Sequence, residues 1–246
     1  MKPPNLICSL LLFYLIVPLP FVFSQQAADY AALPGVEKEW WFDQITGLQN
    51  SKIINGKEYF IPFNGGETHP FYLSRQSLPA KVIYDGQVFL NVPVLFDIYN
   101  DLVIVTQIKK ATQVLVQVDN TKIPGFQFNN AVFRRFNVTD KNGTDAVTGH
   151  YQVLHDGQNI LLLAKRRKVR MVNKYTHQVE YKEESAFYTL YHERWHTVKG
   201  RRSFYKILPA DKTLLIKNFI RKNKLKTMNE EHLTRIVSFI DQQMQQ

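Results

Sequence analysis

One spacing in the chain names a chemistry by itself. His192-Glu193-Arg194-Trp195-His196 has two imidazoles four residues apart and a carboxylate beside the first. On an α-helix those imidazoles point the same way and can share a zinc ion, while the Glu takes a proton from metal-bound water. A zinc-dependent hydrolase working through His192, Glu193 and His196 is therefore one expectation. Several features oppose it. Arg194 puts a charge where a buried zinc helix carries an uncharged residue, and Lys199 follows where a familiar third-ligand frame has glycine. The next carboxylates, Asp211 and Glu230, lie in the tail. Phe187 to Tyr191 and Trp195 to Val198 are dense in aromatic and β-branched residues, which favour strands. Phe187, Leu190, Tyr191 and Val198 also fit a period of about 3.6, so periodicity alone does not separate the two. The composition favours a hairpin reversing at His192-Glu193-Arg194, with no metal and no cofactor.

Other catalytic patterns are missing. The sequence has no G-x-S-x-G, no G-x-x-x-x-G-K and no G-x-G-x-x-G. His150, His155 and His177 are scattered over predicted strands, and turn chemistry accounts for most of Asp85, Asp97, Asp101 and Asp156.

Charge points to a second kind of site. The chain has 31 Lys and Arg against 21 Asp and Glu, a net charge of +10. Basic residues cluster at Lys165, Arg166, Arg167, Lys168 and Arg170, then at Lys199, Arg201, Arg202 and Lys206, then at Lys217, Arg221, Lys222, Lys224 and Lys226. An anionic partner such as a phosphorylated lipid headgroup is one reading of these clusters. The plainer reading is a solvated helix face and a charged strand edge that resists pairing with other strands.

The elements that must position these groups begin after a leader. Lys2, the apolar run Leu6 to Val17, the helix-breaking Pro18 and Pro20, and Val22-Phe23-Ser24 read as a secretory signal peptide over residues 1–24. That run is too short and too broken by proline to span a membrane, and it contains the only cysteine, Cys8. A cysteine-free mature chain has no disulfide and no thiol nucleophile, so its own apolar core must hold it. Secretion also puts nucleic acid out of reach, and none is expected as a partner. Asn137 and Asn142 begin glycosylation-type triplets, which matter only in a host that glycosylates there.

From Val82 to Thr106 the chain reads as three strands joined by Asp85-Gly86 and Asn100-Asp101. Glycine second in a two-residue turn accepts positive φ without a Cβ clash, so a type I′ hairpin is predicted at Asp85-Gly86. Val92, Val94, Phe96 and Ile98 form one apolar row. A weaker copy, Val153 to Leu161 with Asp156-Gly157, follows 71 residues later, between positions 82 and 153. Asn55-Gly56 predicts another hairpin over Ile53 to Phe60, and Asn64-Gly65-Gly66 a loop. Trp40-Trp41 reads as core rather than a sugar platform. Thr139 to Thr148 is the most exposed loop. After Gly200 helices take over: a short one ended by Pro209, one over Asp211 to Asn223 facing the core with Leu214, Leu215, Phe219 and Ile220, and a last one capped by Asn229, with Leu233, Ile236, Val237 and Ile240 on one face.

Pro70-Phe71-Tyr72-Leu73, VIYDGQVFLNVPVLFDIYNDLVIV, GHYQVLHDGQNILLLAKRRKV and the tail IKNFIRKNKLK resemble a family of secreted proteins of the gram-negative cell envelope. The resemblance runs from about Gly65 to the end. It implies an envelope location and a strand pair over Phe187–Val198, with a Lys-Asp-Gly-like turn where this chain has His192-Glu193-Arg194. It carries over no catalytic residue.

The expected fold is mainly β (α+β), built of antiparallel hairpin and meander sheets, with two related β units as an option and a C-terminal helical segment. Residues 1–24 form the signal peptide, 25–200 the β-rich region (sub-units 36–138 and 149–200), and 201–246 helices packed on the sheet. The expected function is a non-enzymatic envelope protein, interacting or scaffolding, in the periplasm or at the outer membrane, with no transmembrane span in the mature chain. The zinc hydrolase and the binder of anionic envelope surfaces stand as alternatives.

Overall fold

Alternating apolar and polar residues specify strands, and the computed structural model, which describes residues 51–62, 67–109, 111–138 and 147–244, assembles them into one antiparallel sheet. Its eleven strands are β1 (Lys57–Glu58), β2 (Leu78–Tyr84), β3 (Gln87–Asp97), β4 (Leu102–Lys109), β5 (Thr112–Gln117), β6 (Gly125–Phe128), β7 (Ala131–Val138), β8 (Val147–Asp156), β9 (Ile160–Val172), β10 (Val179–Tyr191) and β11 (Arg194–Val198). Their order is β1-β5-β4-β3-β2-β6-β7-β8-β9-β10-β11. Two meanders, β2 to β5 and β6 to β11, are thus fused where β2 pairs β6. Three helices follow: α1 (Arg201–Tyr205), α2 (Ala210–Lys222) and α3 (Glu230–Met244). The mainly β, antiparallel reading with a helical C-terminus holds. The leader at 1–24, Trp40-Trp41, Asn64-Gly65-Gly66 and the Asn142 triplet lie outside the described residues, as does the predicted 139–148 loop except Val147 and Thr148, which open β8.

The turns show where local chemistry decides and where it does not. Asp85 and Gly86 have φ of 52° and 80° between paired Tyr84 and Gln87, the predicted type I′ turn. Asn100-Asp101 is not a two-residue turn. Ile98 to Asp101 form a four-residue loop because the buried Asp97 carboxylate accepts the N–H groups of Tyr99 (2.9 Å) and Asn100 (3.0 Å). The second Asp-Gly is likewise replaced by a three-residue loop, Gly157 to Asn159, between paired Asp156 and Leu161 and next to Ile160. Asp241 of α3 draws it in by accepting the N–H groups of Gln158 (3.3 Å) and Asn159 (2.8 Å). The hairpin predicted over Ile53 to Phe60 does not form. Lys52–Ile54 make a 3-10 turn and β1 pairs instead with β5. Gly56 serves that close approach, since a Cβ on it would lie 2.1 Å from the Gln117 carbonyl oxygen.

Two main apolar clusters stabilise the sheet. One gathers Val82, Phe89, Val92, Val94, Phe96, Ile98, Phe126 and Phe133 inside the first meander and its neighbours. The other joins Leu162, Ala164 and Phe187 of the sheet to Leu233, Ile236, Val237 and Ile240 of α3. Asn229 caps α3 as predicted, accepting the His232 N–H at 2.9 Å. In α2 the buried face differs from the prediction. Ile216 and Ile220 are buried, Phe219 stacks on Phe239 at 3.9 Å, and Leu214 and Leu215 face outward. Packing against α1 and α3, rather than against a strand, sets that rotation.

Polar contacts bring the two meanders together. The Asp101 carboxylate, on the β3–β4 loop, lies 3.1 Å from the Lys165 ammonium of β9 and accepts the His150 N–H of β8 at 3.1 Å. The Lys165 ammonium also donates to the His150 carbonyl (3.1 Å) and lies over the Tyr151 ring, 4.8 Å from its centroid. His150 is fully buried and its Nε2–H donates to the Ile123 carbonyl at 3.1 Å. Farther along β9, the Lys168 ammonium donates to the carbonyls of His69 (2.8 Å) and Phe71 (2.7 Å). Lys168 N–H reaches the Ile98 carbonyl at 3.1 Å.

Asp101→Ala leaves a mostly buried ammonium without its carboxylate and is expected to cost about 2–3 kcal/mol, less than a fully dry pair because Asp101 is partly solvated. Combining Asp101→Asn, which tolerates the positive φ of 57° there and keeps an acceptor for the His150 N–H, with Lys165→Met should recover much of that loss in urea unfolding, and an equal or larger loss in the double variant would refute the assignment. Burial holds the His150 pKa below its ordinary 6.5 against the pull of Asp101, so the unfolded chain binds this proton more readily. Stability should therefore fall as pH drops from about 6.5 towards the lower folded value. His150→Gln, which keeps a donor for the Ile123 carbonyl, should flatten the thermal midpoint over that range.

Candidate functional site

The H-E-x-x-H residues lie on a hairpin, not a helix. β10 and β11 pair from Phe187↔Val198 through Tyr191↔Arg194, leaving His192 and Glu193 as a two-residue turn with φ of 47° and 60°. Both values are those of a type I′ turn, adopted here without Asn or Gly. His192 is exposed, its ring 4.1 Å from that of Tyr191, and Glu193 and Arg194 are exposed beside it. His196 is half-buried on β11, opposite Thr189. Strand residues advance about 3.3 Å each, against about 1.5 Å in a helix, so positions four apart stand roughly twice as far from each other and the one-turn spacing that lets two imidazoles share a zinc is lost. No group of three His, Cys, Asp or Glu among the described residues is placed to hold a metal.

The basic run of β9 does not form one outward patch. Strand alternation divides Lys165 and Arg167 from Arg166, Lys168 and Arg170. Lys165 and Lys168 are engaged at the junction of the meanders. Burial holds both ammonium groups below their usual pKa, opposed by Asp101 for Lys165 and chiefly by Glu183 for Lys168. Arg166 is buried, with Nε on Gln152 (2.8 Å) and the guanidinium on Ser185 (3.1 Å) and Glu230 (2.6 Å). Arg167 and Arg170 are exposed, and Arg167 pairs with Glu184 at 3.0 Å. The expectation of an anion site at 165–170 is thereby corrected: three of its five cations are tied to the protein's own oxygens.

The outward charge lies at the C-terminus. Residues 199–228 hold ten of the chain's 31 Lys and Arg and one of its 21 Asp and Glu, so +9 of the net +10 falls there. Lys199, Arg201, Arg202, Lys206, Lys217 and Arg221 are exposed, as are Lys222, Lys224 and Lys226, and Lys212 is half-buried. None of these ten makes an ion pair with a described residue. α2 packs chiefly on α1 and α3, which leaves its far side to solvent. Tyr205 of α1 receives the Lys217 ammonium at 5.1 Å from its ring centroid.

One depression, of about 570 Å³, is lined by Asp85, Lys122, Pro124, Arg135, Phe136 and Thr148 among others. It mixes one carboxylate with two cations. Sequence reasoning missed the Asp101–Lys165–His150 cluster and the Asp241 clamp. Their only local signal was Lys165 directly after the apolar Leu161-Leu162-Leu163-Ala164, a charge that needs a partner if the strand is buried. Compared with models of protein families, with curated proteins and with solved structures, the chain matches none.

Elemental analysis of the purified protein should find no stoichiometric zinc, and a bound equivalent that disappears in His196→Ala would overturn the hairpin assignment. Replacing His192-Glu193 with Asn-Gly should raise stability by about 1 kcal/mol, or about 2–4 °C in Tm, because those residues adopt positive φ more readily. A lower Tm would show that the histidine and glutamate serve the segment in some other way.

Proposed function

We propose that this is a non-enzymatic protein of the cell envelope that attaches to anionic surfaces through residues 199–228. The observation that carries the reading is the concentration of +9 in those residues, nine of whose ten cations are exposed and none of which pairs with an acid among the described residues, against +1 over the rest of the chain. Like charges crowded on one segment repel one another, and a negative surface relieves that repulsion while drawing the protein in. The leader pattern of residues 1–24 and the resemblance to secreted gram-negative proteins support export across the inner membrane, to the periplasm or the outer membrane. No helix among the described residues is long and apolar enough to cross a membrane, so attachment in this reading is peripheral. The internal engagement of Lys165, Arg166 and Lys168 supports leaving the β9 run out of the surface.

Binding to a soluble polyanion such as heparin should weaken by about tenfold or more between low and physiological salt, as counterion release requires. Lys217→Glu with Arg221→Glu and Lys222→Glu should abolish most of that affinity, whereas Arg167→Gln with Arg170→Gln should change it little. Binding that ignores salt, or that follows the β9 pair instead, would refute the reading.

A further inference from the structure

We infer that the surface α2 meets is an anionic lipid bilayer, with Leu214 and Leu215 entering its interface. The inference rests on the anionic-surface reading and adds the class of partner. On a helix, Leu214, Lys217, Asn218 and Arg221 fall at i, i+3, i+4 and i+7 and so share one stripe, with Leu215 and Lys222 on the adjoining row. That stripe is the solvent side. Leu214 is 65% exposed and Leu215 41%, while Ile216 and Ile220 on the opposite side are buried against the neighbouring helices. A single exposed leucine needs no explanation, but two adjacent ones with Lys217, Arg221 and Lys222 on the following turns, and Asp211 as the one acid on the turn before them, form a specific chemistry. A soluble polyanion satisfies the cations and leaves the leucines in water. A bilayer with acidic headgroups satisfies both, since the ammonium and guanidinium groups reach phosphate while the leucines sit at the acyl boundary. The long stems of Lys217, Arg221 and Lys222 allow this division of depth.

Arg202 and Lys206 on and beside α1 and Lys224 and Lys226 beyond α2 are also exposed, which adds further cations in the segments flanking α2. Buried Ile216 and Ile220 keep α2 docked on the protein, so it lies along the surface rather than inserting end-on. A helix of its length, about 20 Å, is too short to span the hydrocarbon core.

The test is co-sedimentation of the full chain with vesicles of phosphatidylglycerol and phosphatidylcholine in equal parts, with vesicles of phosphatidylcholine alone, and with heparin as a soluble polyanion. Wild type should bind the mixed vesicles and heparin and ignore the neutral vesicles. Leu214→Ser with Leu215→Ser should weaken vesicle binding by about tenfold or more and leave heparin affinity and Tm unchanged. The indole emission that Leu214→Trp adds over wild type should shift to the blue on the mixed vesicles only. If the serine variant binds vesicles as well as wild type does, or if that added emission stays put, leucine insertion is wrong. Heparin binding without vesicle binding would overturn the bilayer and point to an acidic protein partner, leaving the anionic-surface reading intact. Absence of both in wild type would end both readings.

Discussion

The ion pair between Lys165 and Asp101 is the constraint on which the arrangement of this sheet rests. β9 enters the molecule as an apolar strand and then turns basic, and an ammonium placed among buried neighbours needs a counter-charge. Asp101, delivered by the β3–β4 loop, supplies it and receives the His150 backbone N–H as well. The side chains of Asp97 and Asp101 therefore divide two tasks. The first shapes the loop from within, and the second carries the loop onto β8 and β9. Gly149 fits this crowding, because a Cβ there would lie 2.2 Å from Asp101 Oδ2 and 2.4 Å from Lys165 Nζ. Lys168 makes a second crossing onto the carbonyls of His69 and Phe71, so the two meanders are tied at more than one level.

That use of the β9 cations changes what the surface offers. A run that looks like one basic patch in the linear chain becomes two exposed arginines and three internal fasteners. The same logic extends to the tail, where Glu230 at the start of α3 is taken by Arg166 and Asp241 near its end by the β8–β9 loop. Burial by itself pushes the Asp241 carboxyl up, but hydrogen bonds from Asn159, His155 and Gln158 hold it below the ordinary carboxylate range. Both acidic groups thus serve docking of α3. The cations of residues 199–228 are left without an acidic partner among the described residues, and α2 presents Lys217, Arg221 and Lys222 beside its two leucines.

Element types were legible where the local pattern had no competitor. Alternation in β3, the Asp85-Gly86 turn, the strand character of residues 187–198 and the apolar stripe of α3 each follow from side-chain period and backbone preference. The failures share a cause. Asn55-Gly56, Asn100-Asp101 and Asp156-Gly157 all carry turn residues, yet in each case a group outside the turn took over: Gln117 approaching Gly56, Asp97 and its contact from Tyr59 shaping residues 98–101, and Asp241 capping the 157–159 loop. The face of α2 was misread because Leu214, Leu215, Phe219 and Ile220 are apolar at a plausible helical spacing. Only contact with α1 and α3 selects Ile216 and Ile220 as the buried pair.

Taken alone, the chain determined that it would be an antiparallel β protein with a helical end, that its excess charge would be positive, and that its zinc-like spacing sat among strand-forming residues. Such properties are local, set by rotamer, φ and hydropathic period within a few residues of one another. Which charges would remain outside was decided by tertiary structure. Pairing Lys165 with Asp101 and Arg166 with Glu230 requires groups brought together from 64 residues apart in the chain. No periodicity encodes that meeting, because an ion pair depends on distance in space and on the water excluded around it.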